Sequence, residues 1–136
     1  MSVPEHLWRF PTTEARVSLA KRFGLPYSDQ MQDWEYEVAD ANRIDEFISV
    51  YESGELDDDE KFSLMETIIQ SFEDLEISLS DEPRWQRVLN LIENNIELHR
   101  YTVWYWSMLE NSNKFEQWRV TPFIESILIK HKEKFS

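Results

Sequence analysis

The chain has 136 residues, enough for one domain with a hydrophobic core, and it contains no cysteine, which excludes disulfides, thiolate-bound zinc and iron–sulfur clusters. Only two glycines are present, so glycine-rich phosphate loops and the tight turns of β-barrels and sandwiches are disfavoured. The 27 acidic and 14 basic residues leave a net charge of −13, which opposes binding to nucleic acids or anionic membranes. We therefore expect a single helical domain over residues 1–136.

The first predicted helix begins at Thr12 or Thr13 and ends near Phe23. A threonine at this position can accept hydrogen bonds from the free backbone N–H groups of the first turn. Gly24 is a typical residue just beyond a helix end, because it adopts the left-handed conformation without a steric penalty.

Two further helices are predicted before residue 55. Residues 31–41 have apolar side chains spaced along one helical face, although Trp34, Tyr36 and Val38 also alternate as they would in a strand. We favour a helix there. The next helix begins near residues 40–42 and ends at Gly54, which is expected to be left-handed.

The clearest helix signal covers residues 58–76. Asp57 and Glu60 have the spacing of a capping box, and apolar residues follow at intervals of three and four. The carboxylates at positions 57–60 also raise the question of a calcium loop. That loop requires glycine at its sixth position and glutamate at its twelfth, where this sequence has Phe62 and Ile68, so we favour the helix cap.

The C-terminal part predicts a helical pattern from Pro83 to about residue 109 and a last helix from Thr121. Proline suits the first turn, because the N–H it lacks would have had no partner within the helix. We expect a break at Asn94–Asn95, since an unbroken helix would be about 42 Å long. Thr121 is predicted to cap the last helix, whose negative end meets a basic tail at residues 130–134.

These elements predict an all-α fold of five to seven helices. The sequence leaves two architectures open, a compact helical bundle or a short stack of helical hairpins. An offset of 23 residues aligns apolar positions of residues 62–69 with those of 85–92, which is compatible with stacking but also expected of unrelated amphipathic helices.

Motifs for catalysis and for metal binding are absent from the sequence. The histidines are His6, His99 and His131, which are far apart and form no ligand pair. His99 lies on an apolar helical stripe, where a core or interface histidine is favoured over a catalytic base. The serines lack a nucleophile elbow. We therefore predict no enzyme activity, no catalytic residues, no metal site and no cofactor.

Acidic residues are concentrated in the middle of the chain. Residues 28–82 contain 19 acidic and two basic residues, whereas residues 1–27 and residues 83–136 each carry a net charge of +2. One interpretation is that the carboxylates coat solvated helix faces and keep the protein soluble. The other is that they steer a basic partner protein, with mimicry of nucleic-acid phosphate as a special case.

Aromatic residues make up 14% of the chain. Four of them crowd the helix predicted after residue 95, which is either a buried central helix or part of a binding surface: Tyr101, Trp104, Tyr105 and Trp106. The aromatic residues Trp34, Tyr36 and Tyr51 lie among carboxylates and are better placed to contact a partner. Trp and Tyr dominate the residues that contribute most to binding at interfaces.

Two stretches carry a resemblance to a known class of proteins. Residues 51–62, Tyr51-Glu52-Ser53-Gly54-Glu55-Leu56-Asp57-Asp58-Asp59-Glu60-Lys61-Phe62, and residues 98–106, followed by Trp118 and Thr121-Pro122-Phe123, resemble small helical bacterial immunity proteins. Such proteins belong to polymorphic toxin systems, including contact-dependent growth inhibition. The resemblance implies an acidic cytoplasmic protein specific for one toxin. It transfers no binding residue, because immunity proteins place their toxin contacts differently from one another.

We thus predict a non-catalytic immunity protein that binds a basic toxin domain, for example that of a nuclease. The alternative is a helical regulatory or scaffold adaptor. The N-terminus lacks the features of a secretory signal, so a cytoplasmic location is expected. The partner-binding residues predicted from the charge and aromatic pattern are Asp33, Trp34, Glu35, Tyr36, Glu37, Tyr51, Asp57, Asp58 and Asp59.

Overall fold

The computed structural model describes residues 3–107 and 117–136. Within these residues the chain forms seven α-helices, short 3-10 turns and no β-strand, which confirms the all-α fold. The helices are α1 (Thr13–Phe23), α2 (Trp34–Glu37), α3 (Ile44–Glu52), α4 (Asp58–Glu73), α5 (Pro83–Asn94), α6 (Arg100–Ser107) and α7 (Thr121–Lys130).

The chain divides into two compact units. One unit is Phe10–Leu75 and contains α1 to α4, with α4 packed against each of the other three helices. The other unit combines Met1–Arg9 with Glu76–Ser136 and contains α5 to α7, with α6 and α5 both packed on α7. None of the helices in the described part of the chain is long and apolar enough to cross a membrane.

The capping signals predicted for α1, α3 and α4 are confirmed. The Thr12 side chain accepts a hydrogen bond from the Ala15 N–H, and Gly24 ends α1 with a φ of 65°. The Asp57 carboxylate and the Glu60 carboxylate each accept a hydrogen bond from the other residue's N–H, which completes the capping box of α4. Gly54 is left-handed as expected, with a φ of 79°.

Helix α2 differs from the prediction, because it has one turn instead of covering residues 31–41. Before it, the carbonyls of Met31 and Gln32 accept hydrogen bonds from the Arg16 guanidinium. After it, Asp40 is extended, and its N–H donates to the Ser71 hydroxyl on α4. Tertiary contacts therefore replace the hydrogen bonds that would have lengthened the helix.

The C-terminal helices break where predicted, but the end of α4 and the start of α7 differ from the prediction. The pattern predicted from Pro83 onward breaks at Asn95 as expected, while its predicted end at residue 109 lies outside the described residues. Helix α4 ends at Glu73, three residues earlier than predicted. Thr121 is not a cap: it is the first residue of α7, and its hydroxyl donates to the Trp106 carbonyl at 2.9 Å.

Candidate functional site

Glu35, one of the predicted partner-binding residues, is held in a buried ion pair. Its carboxylate accepts hydrogen bonds from Arg16 Nε at 2.8 Å and from Arg16 Nη2 at 2.7 Å. The Glu35 side chain is 3% exposed. The hydrogen bond from Arg16 to the Glu35 carboxylate raises the pKa of Arg16. The structure thus places the Glu35 carboxylate inside the protein, paired with Arg16, and not on the exposed acidic surface.

Two of the three aromatic residues of the predicted surface, Trp34 and Tyr51, are buried. Trp34 is 1% exposed, and its indole N–H donates to the Pro26 carbonyl at 2.8 Å. Tyr51 is buried on α3. Burial in the core of the Phe10–Leu75 unit is the reason that neither side chain is available to a partner.

Tyr36 is intermediate in exposure between the buried and the exposed residues of this segment. It is half-buried, and its hydroxyl donates to Glu66 Oε1 at 2.7 Å. Glu66 is itself buried on α4, where a carboxylate needs hydrogen-bond donors. Tyr36 therefore provides a hydrogen-bond donor to a buried carboxyl group and is itself only partly exposed.

The remaining carboxylates of this segment face solvent. Asp33 precedes α2 and Glu37 is its last residue, and both are exposed. The structure thus divides the predicted segment 33–37 into a buried centre and two exposed acidic ends.

The second acidic segment lies at the N-terminus of α4. Asp57 and Asp58 are exposed, and Asp59 is half-buried. Asp57 is engaged as the cap, and Ser18 Oγ on α1 donates to Glu60 Oε2 at 2.6 Å. The cap explains Asp57 and Glu60, whereas Asp58 projects charge into solvent without a capping role.

A cleft of about 430 Å³ lies beside these carboxylates, between the first turns of α1 and of α4. Its acidic lining residues are Glu14, Asp57, Asp59 and Glu60. Within the described part of the chain, no group of three histidine, aspartate or glutamate side chains is arranged to hold a metal ion. The cleft is a concave acidic feature of the surface that lacks the geometry of a metal centre.

Helix α1 contacts both acidic segments. Arg16 binds Glu35, Ser18 binds Glu60, and further along the helix Arg22 Nη1 lies 2.9 Å from Glu55 Oε1. Residues 33–37 and residues 57–60, which are about 20 positions apart in the sequence, are therefore connected through one helix.

Nearly all of the net negative charge lies in one of the two units. Phe10–Leu75 contains 17 acidic and five basic residues, a net charge of −12. The rest of the chain contains ten acidic and nine basic residues, a net charge of −1. The acidity of the protein is thus a property of the α1–α4 unit.

Sequence reasoning missed the residues that position this surface. Arg16 is the main example, because nothing in its local sequence distinguishes it from a solvated basic residue of an amphipathic helix.

The exposed aromatic residues were also missed. Trp8 and Phe10 are the aromatic side chains with the largest exposure among the described residues. Their position before the first helix, outside any apolar stripe, was the available signal.

The aromatic residues of helix α6 are partly buried in the core of their unit. Trp106 is fully buried, and its ring centroid lies 4.6 Å from that of Trp118. Tyr101 and Tyr105 are half-buried and stacked on each other at 5.9 Å, and Trp104 is also half-buried. The cluster therefore belongs in part to the core of its unit.

The three histidines do not converge on one site. His99 is fully buried, and His6 Nε2 lies 3.0 Å from the Phe135 carbonyl oxygen. His131 Nε2 lies 2.9 Å from Glu93 Oε2, linking the end of α7 to α5. The hydrogen bond to His131, with a second from Lys130, lowers the pKa of Glu93.

Comparisons with protein-family models, with curated proteins and with solved structures find no match to this chain.

Proposed function

We propose that this protein is an immunity-type inhibitor that binds and neutralises a basic toxin domain through the acidic surface of the Phe10–Leu75 unit. The observation that supports this proposal is the concentration of a net charge of −12 in that unit. A field of this kind attracts a basic protein and raises the association rate by roughly 10- to 1,000-fold. A nuclease toxin is a suitable partner, because its active site is built to receive phosphate.

The exposed carboxylates supply the binding charges in this proposal. Asp33, Glu37 and Asp58 face solvent and act on the approach of the partner, and half-buried Asp59 adds to the same field. Asp57 has a double role, since it also caps α4. The protein acts in the cytoplasm by binding alone, without a catalytic step or a cofactor.

The test uses the product of the gene directly upstream, where the proposed function expects the cognate toxin, in co-expression and in kinetic binding measurements. The charge reversals Asp33→Lys and Glu37→Lys are combined in one variant. Its matched control reverses Glu125 and Glu133, which lie outside the Phe10–Leu75 unit and change the net charge equally.

We expect the first variant to associate about tenfold more slowly at low salt, with little change in dissociation, because exposed charges act mainly on encounter. Added salt should reduce the difference, since the screening length falls to about 10 Å at 0.1 M. Equal slowing by the control variant would refute a specific acidic surface and leave only an effect of overall charge.

The adaptor function remains the alternative, and a cleft in the other unit favours it. This cleft, of about 360 Å³, is lined in part by Leu79, Trp85 and Phe123, which could receive an apolar side chain of a partner. The gene neighbourhood separates the two functions. An immunity gene lies directly downstream of a toxin gene, whereas an adaptor gene has no such requirement, and the absence of a neighbouring toxin gene would contradict the immunity function.

A further inference from the structure

One arginine on α1, Arg16, contacts three positions within residues 31–35. Arg16 Nη1 donates to the Met31 carbonyl at 3.4 Å, Nη2 donates to the Gln32 carbonyl at 3.0 Å, and both Nε and Nη2 donate to the Glu35 carboxylate. The Arg16 side chain is 16% exposed. A planar guanidinium with five donors in a fixed geometry can bind two backbone carbonyls and a carboxylate together, which a lysine ammonium cannot reproduce.

The segment that Arg16 binds has little regular structure of its own. Helix α2 has four residues, and a helix of this length is unstable in isolation because nucleation is unfavourable. Its conformation must come from tertiary contacts. The Thr67 hydroxyl donates a hydrogen bond to the Glu35 carbonyl at 2.9 Å, and the Tyr36 hydroxyl donates to Glu66. These two contacts involve residues of α2 itself, whereas Arg16 also binds the residues that precede α2.

The exposed carboxylates depend on this conformation. Asp33 lies between Gln32 and Glu35, both of which Arg16 binds, and Glu37 follows two residues later. If Arg16 were lost, the buried Glu35 carboxylate would lose its bidentate partner, and the backbone of this segment would lose two of its hydrogen bonds.

We propose that Arg16 is a positioning residue for the partner-binding surface: it holds residues 31–37 in one conformation, so that Asp33 and Glu37 are presented to a basic partner in a fixed arrangement. This inference rests on the proposed function for its biological meaning. Preorganisation increases affinity, because a surface that is only fractionally in the binding conformation binds more weakly by that fraction.

The first measurement needs no partner. Amide hydrogen exchange is compared in the wild type, Arg16→Gln, Arg16→Lys and the control Arg22→Gln. Arg22 forms an ion pair with Glu55 that is largely exposed, so its loss removes the same charge without a buried contact. The reporters are the N–H groups of residues 36–38, which donate to the carbonyls of Asp33 and Trp34.

We expect Arg16→Gln to accelerate exchange at residues 36–38 by roughly tenfold or more, while residues 68–72 of α4 keep the protection of the wild type. Arg16→Lys should give an intermediate rate, and Arg22→Gln should leave exchange unchanged. Equal acceleration in both segments would show that Arg16 supports only global stability. Unchanged exchange at residues 36–38 would show that Arg16 does not hold the segment. Either result overturns the inference.

The second measurement is binding to the toxin domain encoded upstream. Both Arg16→Gln and Arg22→Gln make the protein more negative, so charge alone predicts equal or faster association with a basic partner. The positioning role predicts instead that Arg16→Gln binds roughly tenfold more weakly and Arg22→Gln does not. Identical binding by the two variants overturns the positioning role. If the wild type itself fails to bind, the proposed function fails, and the exchange measurement still decides whether Arg16 holds the segment.

Discussion

Replacement of Trp34 by alanine tests whether this residue is core or interface. The wild-type side chain is 1% exposed and donates its indole N–H to the Pro26 carbonyl at 2.8 Å. Truncation of a buried tryptophan to alanine costs about 3–5 kcal/mol, from lost apolar burial and the cavity that remains. The Pro26 carbonyl also loses its donor, which adds to this cost, so we expect a loss of at least about 4 kcal/mol.

The assay is urea unfolding followed by far-UV circular dichroism. For an m-value of about 2 kcal/mol per molar urea, a loss of 4 kcal/mol lowers the midpoint by about 2 M. This is a large part of the roughly 5–15 kcal/mol that stabilises a typical domain. Trp34→Phe keeps most of the ring volume but not the N–H, so we expect it to lose less than half as much.

Phe10→Ala provides the control, because 64% of the surface of Phe10 is exposed. It should cost less than half as much as Trp34→Ala, since it removes less buried apolar area. If Trp34→Ala instead loses under about 1 kcal/mol with its helix content intact, the assignment of Trp34 to the core is refuted. The residue would then become a candidate for direct contact with a partner.

Two further predictions concern the acidic cap and the link between α5 and α7. Asp57→Ala should lower the free energy of unfolding by about 1 kcal/mol, because it removes the acceptor for the Glu60 N–H. Asp58→Ala removes a neighbouring charge but no cap, and should cost less than half as much in urea unfolding; equal costs would contradict the capping role. Glu93 has a lowered pKa, first through His131, so its stabilising effect is present above its ordinary pKa of 4.5 and is lost as the pH falls through the folded value. The difference in urea midpoint between the wild type and Glu93→Gln should therefore shrink below pH 4.5, and a difference that grows on acidification would contradict this coupling.

Local signals in the sequence determined the helical class and most helix boundaries. The caps at Thr12 and Asp57 and the left-handed glycines Gly24 and Gly54 act within a few residues along the chain. Their hydrogen bonds and backbone angles depend little on the rest of the fold, so these signals can be predicted from the sequence without knowledge of the tertiary structure. The break near Asn95 was predicted on a different ground, because an unbroken helix would have been too long for a domain of this size.

The concentration of acidic residues was also visible in the sequence, but the identity of the exposed ones was not. Asp33, Glu35 and Glu37 have the same local composition, and only Glu35 is buried. What distinguishes it is Arg16, 19 residues away, whose position beside Glu35 depends on how α1 packs in its unit.

The tertiary structure likewise decided that Trp34 and Tyr51 are core residues and that α2 stops after one turn. Burial depends on the area that distant helices cover, and the length of α2 depends on Arg16 and Ser71, which bind the backbone groups of the residues that flank it. Both are sums over contacts between residues that are far apart in the sequence. Local pattern therefore determined most helix boundaries, while long-range packing decided the length of α2 and which acidic and aromatic side chains remain at the surface.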